Sequence, residues 1–341
     1  MIIILQRNGE EQVNEIVRYV HSLGLEVDIS QGTENVVLGI RGDTRSLREE
    51  QFASLPGVQR VNRISSKYKL VSRQFRPQHT VKIKDYLVGD VPHLSDSKPF
   101  IIAGPCAIED EKQALQTFEE IAAYTDAFRG FLYKPRTSPY EFQGLRETGI
   151  SILQEIRRRY SIPIVQEVLD SRHLDVLNEV TDIYQVGTRN MYNYELLKEV
   201  AGTGKPVILK RGWTATLEEW LLAAEYIAKE GNMNIILCER GIRTLSSGEY
   251  GRNTPDLNVI PAVREKSCLP IIFDPSHSTG RAELVVPTSL AALSMGAHGL
   301  EIDVMPRNYD RRMLQVDGQQ AITAQELGEI VKRAGNVWGN G

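Results

Sequence analysis

Three cysteines in 341 residues, Cys106, Cys238 and Cys268, are too few and too scattered to staple a fold together. Their rarity excludes a disulfide-framed secreted module and points to a reducing compartment. No apolar run approaches the ~18–20 residues that a membrane-spanning helix needs. The start of the chain, MIIILQRNGEE, has neither the basic leader nor the small-residue cleavage site of a secretory signal. The expectation is a cytoplasmic protein. Positive charge is not in excess either: 40 Lys and Arg against 44 Asp and Glu leave a formal net charge of −4. A protein that holds nucleic acid through its phosphates needs the opposite balance, so any cluster of cations here is a local feature.

The first seventy residues lack a His or Cys cluster and a Gly-rich phosphate loop. What they have is periodicity. A short apolar run at Met1–Leu5 precedes a helical pattern over Glu10–Leu23 that ends at Gly24. Strand patterns follow at Leu25–Ile29 and Val36–Ile40, then a helical stretch at Thr44–Ser54 and a last strand at Val58–Ile64. This order, βαββαβ, predicts a small ferredoxin-like domain over 1–70. Such modules bind a small effector or hold subunits together, and the residues alone do not choose between these. The polar stretch 71–98 reads as a linker with a possible strand pair at Val81–Val88.

From residue 99 onward, apolar β-rich runs alternate with amphipathic segments. The runs are Phe100–Ala103, Phe131–Tyr133, Ile162–Val168, Ile183–Val186, Val207–Leu209, Ile235–Leu237, Ile271–Phe273 and Leu300–Val304. Eight strands alternating with helices over 99–341 predict an α/β fold, a (β/α)8 TIM barrel, whose site lies where the strands end. At or just past those ends stand Cys106, Lys134 with Arg136, Glu167, Arg189, Lys210 with Arg211, Glu239 with Arg240, His277 and Asp303. Chemically capable side chains at all eight strand ends point to an enzyme.

Two subsets separate by chemistry. Lys134, Arg136, Arg189, Lys210, Arg211, Arg240 and Arg243 form a cationic set that suits phosphorylated substrates, because guanidinium forks match phosphate oxygens. The run Lys134-Pro135-Arg136-Thr137-Ser138-Pro139 adds hydroxyl donors on a backbone stiffened by proline. A solvated basic turn would have the same composition. Cys106, His277, Asp303 and Asp317 form the second subset, a mixture of soft, borderline and hard donors. That mixture suits Mn²⁺, Fe²⁺ or Zn²⁺ better than Mg²⁺. A buried thiol, a hydrogen-bonded imidazole and two solvated acids are the plainer alternative. Cys238 and Cys268, in or beside apolar strands, read as core residues.

The motifs AGPCAIED (Ala103–Asp110), YKPRTSPYEFQGL (Tyr133–Leu145), QVGTRNMYNYELL (Gln185–Leu197), ILCERGIRTL (Ile236–Leu245) and LPIIFDPSHSTGR (Leu269–Arg281) carry a resemblance. With them, nearly the whole chain resembles the type I-beta 3-deoxy-D-arabino-heptulosonate-7-phosphate (DAHP) synthases, which have an N-terminal regulatory domain. The resemblance implies metal-dependent condensation of phosphoenolpyruvate with erythrose 4-phosphate, giving DAHP and phosphate at the first step of the shikimate pathway. It implies phosphoenolpyruvate contacts at Arg129, Lys134, Arg189, Lys210 and Arg240, with Glu239 beside them. It implies aldose-phosphate contacts at Lys134, Pro135, Arg136 and Thr137. The implied metal ligands are Cys106, His277, an acid on the eighth strand and Asp317. Lys134, His277 and Cys106 are the expected catalytic residues. The resemblance further implies inhibition by an aromatic amino acid, Tyr or Phe, at the first domain, and a homotetramer.

The eighth strand departs from the family, which reads Glu-Val-His-Pro where this chain has Asp303-Val304-Met305-Pro306. The acid is one methylene shorter. Glu301, on the same face but about 6.6 Å deeper, is the second candidate ligand, or else a core residue paired with a cation. Two other readings remain at this stage: condensation with a different aldose phosphate, as in 3-deoxy-octulosonate 8-phosphate synthases, and a non-catalytic metabolite-sensing barrel.

Overall fold

A computed structural model describes residues 1–6, 10–31, 35–44, 46–63, 66–90, 98–245, 247–248 and 251–338. The end of the strand expected at Val58–Ile64 and residues 91–97 of the expected linker lie outside these. The chain divides into two units, Met1–Gln78 with Lys266–Cys268, and His79–Glu265 with Leu269–Gly341.

The first unit runs β1 (Ile2–Gln6), α1 (Glu10–Ser22), β2 (Glu26–Gln31), β3 (Asn35–Arg41), α2 (Glu49–Ala53) and β4 (Val58–Asn62). Its strands form one sheet in the order β2-β3-β1-β4, with β1 antiparallel to both β3 and β4. This is the expected ferredoxin-like plan. Alternation along β3 puts Val36, Leu38 and Ile40 into the core, where Ile16 and Val20 of α1 and Phe52 of α2 meet them. The second helix is shorter than the Thr44–Ser54 expected, because Arg48 has extended backbone and the helix begins only at Glu49.

The second unit is the barrel. It opens with a hairpin of β5 (Val81–Ile83) and β6 (Tyr86–Val88). Val81, Ile83 and Val88 are buried in one cluster with Phe100, Val165, Ile208 and Ile272 of the barrel strands. The hairpin, read from sequence as part of a linker, is thus part of the barrel core. The eight parallel strands are β7 (Phe100–Gly104), β8 (Ala127–Arg129), β9 (Ile164–Val168), β10 (Ile183–Val186), β11 (Val207–Lys210), β12 (Ile235–Glu239), β13 (Ile271–Phe273) and β14 (Gly299–Asp303). They close in sequence order, β14 pairing with β7 from Gly299↔Phe100 to Asp303↔Gly104. Every residue of β7, β9, β12 and β14 is buried, as expected of parallel strands covered on both faces.

One strand is misplaced in the sequence reading. The second barrel strand is Ala127–Arg129, not Phe131–Tyr133, which keeps only a single bridge, from Phe131 to Ala107. Gly130 follows the true strand, and the Gln166 side chain takes over the ladder's work: its amide donates to the Gly130 carbonyl at 2.7 Å and its oxygen accepts from Leu132 N at 3.1 Å. Apolar residues 131–133 are therefore buried without being a strand, because the Gln166 side chain takes Leu132 N while the Ile108 and Arg146 amides donate to the Phe131 and Leu132 carbonyls.

Candidate active site

The run beginning at Lys134 lines a polar cavity of about 820 Å³, counted to its open mouth, at the C-terminal ends of the barrel strands. Lys134, Pro135, Arg136, Thr137, Arg189, Lys210, Arg240 and His277 all border it, as expected from sequence. Lys134 Nζ lies 3.4 Å from Glu167 Oε2 and 4.8 Å from the centre of the Phe131 ring. A Cβ on Gly187 would fall 2.1 Å from Glu167 Oε1, so glycine there leaves room for the acid that faces Lys134.

The cations fall into two sets. In the first, acids balance them. Arg129, fully buried, reaches Asp303 Oδ1 at 2.5 Å and Glu301 Oε1 at 3.3 Å. Lys210 Nζ contacts Asp274 Oδ2 at 2.5 Å and Glu301 Oε2 at 3.2 Å. Burial works to lower both cations, but the attraction of these carboxylates outweighs it and their pKa values rise. In the second set the balance is poorer. Burial pulls Arg240 down to about 10 against the attraction of Asp274, and among the described residues its guanidinium donates to the Gly241 carbonyl, at 3.5 Å. Arg189 is also lowered by burial, with Thr137 Oγ1 at 3.4 Å and the Trp213 ring at 5.2 Å. Arg240, buried, and Arg189, exposed on the cavity wall, have no carboxylate ion pair among the described residues and so attract an anion.

Six expected residues do not border the cavity: Cys106, Arg129, Asp303, Glu239, Arg211 and Arg243. Glu239 is buried and accepts from Gly241 N at 2.7 Å and Arg211 at 3.0 Å, so it braces a turn instead of facing a substrate. Arg211 is occupied by Glu239 and Asp256, and Arg243 stacks on Trp213 at 4.4 Å. Position at a strand end does not say which face a side chain takes, which is why sequence counted them.

Beside the cavity, where His277 and Asp317 border it, Cys106, His277, Asp303 and Asp317 bring one donor atom each to within 4.8 Å of one another. Cys106 Sγ is 3.2 Å from Asp317 Oδ2 and 3.6 Å from His277 Nε2, and Nε2 is 3.6 Å from that same carboxylate oxygen. On the other side of the ring, Nδ1 faces Asp274 Oδ2 at 2.9 Å and Asp303 Oδ2 at 3.6 Å. Burial would lower His277, yet Asp274 and Asp303 push it up to about 10, so a proton balances the acids. Burial would raise Asp317, but His277, Arg252 and Lys134 hold it well below the usual carboxylate range. His277 Nδ1 and Asp303 Oδ1 are buried without a well-directed hydrogen bond. A thiol, an imidazole and two carboxylates gathered in surplus negative charge fit a divalent ion, which would replace the proton. Glu301 lies outside the cluster, saturated by Arg129 and Lys210.

Local sequence explains the placement. Gly104 ends β7 where a Cβ would sit 1.9 Å from the Arg129 carbonyl, so the chain can pass close and deliver Cys106. Asp274 caps a short helix, Pro275–Thr279, accepting from His277 N at 2.8 Å, with Pro275 in the first turn. Asp317 has a left-handed backbone, φ 52°, at the start of a 3-10 turn. Sequence reasoning missed Asp274, Arg252 and Gln320. For Asp274 a signal existed in the Asp-Pro-Ser-His cap; for the other two there was none.

A closed (β/α)8 barrel with Arg189 and Arg240 beside a four-donor cluster defines a metal-dependent barrel enzyme for anionic substrates. Comparison with known proteins narrows the class. The profile of the DAHP synthetase I family matches residues 77–337, and that of the DAHP synthase ferredoxin-like domain matches residues 1–66. The chain belongs to the DAHP synthetase I family. It is 42% identical over 334 residues to the phospho-2-dehydro-3-deoxyheptonate aldolase of Thermotoga maritima, covering 97% of this chain and 96% of that one. The crystal structure of a T. maritima phospho-2-dehydro-3-deoxyheptonate aldolase (DAHP synthase) superposes with a TM-score of 0.74 at 40% identity, over 98% of this chain and 96% of that one. A 2-dehydro-3-deoxyphosphooctonate aldolase of Acidithiobacillus ferrooxidans is 30% identical over 230 residues, 62% of this chain and 80% of that one. No described helix is long and apolar enough to cross a membrane.

Proposed function

We propose that this chain condenses phosphoenolpyruvate with erythrose 4-phosphate, releasing DAHP and inorganic phosphate. The observation that carries the reading is that Arg189 and Arg240 share one cavity with His277 and Asp317, two members of the Cys106–His277–Asp303–Asp317 cluster. In this reading Arg189, Lys210 and Arg240 hold phosphoenolpyruvate, with Arg129 behind them. Pro135, Arg136 and Thr137 hold the aldose phosphate. Lys134, the one cation common to both groups, keeps the two anions together against their repulsion. Cys106, His277, Asp303 and Asp317 would hold a divalent ion, which would supply Lewis-acid polarisation of the aldehyde oxygen.

The bond forms between C3 of the enol phosphate and the aldehyde carbon, and positive charge develops at C2. Burial works to lower Lys134, but Cys106 and Glu167 raise it, so the ammonium is charged at neutral pH and has a proton to give. It passes that proton to the new alkoxide. Water adds at C2, and the resulting hemiketal phosphate collapses with C–O cleavage to release phosphate. A panel of aldose phosphates assayed with phosphoenolpyruvate and metal-loaded protein tests the reading. Phosphate release with erythrose 4-phosphate is the expected result. Release only with a five-carbon sugar phosphate would move the chain to the octulosonate reaction, and binding without release would make it a sensor.

The ferredoxin-like unit supports a second part of the proposal: an aromatic amino acid, Tyr or Phe, binds there and inhibits a cytoplasmic homotetramer. Removing Met1–Ser72 is expected to leave an active barrel insensitive to both amino acids. Initial rates with and without each, in full-length and shortened protein, check this; equal inhibition of the two would refute it.

A further inference from the structure

The two acids of the donor cluster are joined by a bridge that sequence did not suggest. The Gln320 side chain is wholly buried; its Nε2 donates to Asp303 Oδ2 at 2.6 Å and its Oε1 accepts from Arg252 Nη1 at 3.1 Å. The same Arg252 nitrogen donates to Asp317 Oδ1 at 3.1 Å. One amide and one guanidinium thus tie an oxygen of each acid. Asp317 is left with Oδ2 facing Cys106 and His277.

The residue types suit the task. A neutral amide offers a donor to one carboxylate and an acceptor to the guanidinium that serves the other, without adding charge. A glutamate there would crowd a third anion against Asp303. Arg252 is also fixed in place. Its backbone N donates to Thr279 O at 2.8 Å, and the next residue, Asn253, donates from N to Ser278 O at 2.9 Å and from Nδ2 to His277 O at 2.9 Å. Gly280 ends that turn at φ 69°, where a Cβ would lie 2.5 Å from the Arg252 Cβ. The loop bearing Arg252 is therefore stitched to the turn bearing His277.

We infer that Arg252 and Gln320 are positioning residues for the metal centre, setting the separation and aim of the Asp303 and Asp317 carboxylates. This rests on reading the four-donor cluster as a metal site. Groups that orient metal ligands typically change affinity by about 10–100-fold when removed. Arg252 is the better first target, since its side chain is 36% exposed and its loss leaves no buried void.

The test is calorimetric titration of metal-stripped protein with Mn²⁺ alone, without substrates, on wild type, Arg252→Met, Arg252→Lys, Gln320→Met and the double methionine variant, with melting temperatures recorded in parallel. Each methionine variant is expected to bind Mn²⁺ at least tenfold more weakly. Arg252→Lys should recover part of that loss, and the double variant should fall less than the product of the single losses, because the two residues act as one bridge. A Kd within threefold of wild type in Arg252→Met would overturn the inference, whatever the melting temperature does. A wild type that binds no Mn²⁺ would instead overturn the metal reading on which it rests.

Discussion

Replacing Lys134 with Met is expected to lower kcat/KM by at least about 10³-fold while the barrel remains folded. Positioned proton transfer is worth about 10²–10⁴-fold, and the loss of a charge that holds two anions adds to that. The side chain is almost buried, its ammonium 3.4 Å from Glu167 and close over the Phe131 ring. Met keeps most of the volume and the contact with the ring, so packing changes little. Glu167 loses its cation, but it stands on the cavity wall and can take up a proton or water. Steady-state rates against both substrates, with circular dichroism as the check on folding, measure the effect. Because Lys134 is assigned to both anions and to the alkoxide proton, kcat should fall along with kcat/KM. A variant that raised only KM would show Lys134 to be a binding residue without a part in proton transfer. Substantial residual turnover would remove both roles.

The architecture was legible because it rests on period and order: βαββαβ in the first unit and eight strand–helix alternations in the second repeat patterns that burial imposes. The errors fall where tertiary contacts replace local ones. Phe131–Tyr133 looks like a strand because it is apolar and buried, yet its backbone is bonded outside the ladder, to the Gln166 side chain and to the Ile108 and Arg146 amides. The hairpin at 81–88 looks like a connector because it is short, yet its Val81, Ile83 and Val88 complete the barrel core. At the site, sequence could place side chains at strand ends but could not aim them. Lys210 and Arg211 are neighbours, and only Lys210 borders the cavity. Glu301 and Asp303 share a face and both pair with Arg129, but Glu301 also pairs with Lys210, whereas Asp303 joins the donor cluster. The Arg252–Gln320 bridge spans 68 positions, a separation at which no pattern in the chain links the two.

Cys106→Ala and Asp317→Ala are each expected to weaken binding of a divalent ion by at least about 10²-fold, Asp303→Ala to weaken it strongly, and Glu301→Ala to leave occupancy near wild type. Metal analysis after dialysis at fixed free ion concentration reads the series directly. Strong loss in Glu301→Ala with retention in Asp303→Ala would reverse the assignment on the eighth strand. The pH dependence follows from His277. With no ion bound, Asp274 and Asp303 overcome burial and hold the imidazole up to about 10, against an ordinary value of 6.5. A raised pKa means the folded state holds this proton more tightly than the unfolded chain does. Its stabilising contribution is therefore whole below pH 6.5 and is lost as pH rises through about 10. A bound ion takes the proton's place, so affinity should climb with pH across that window, and each binding event should release protons. Melting curves at pH 7 and pH 10 are the check: metal-stripped protein should lose stability at the higher pH, and protein loaded with Mn²⁺ should lose far less. Equal losses in the two would mean that His277 does not exchange its proton for the ion, and would sink the proposed ligand set.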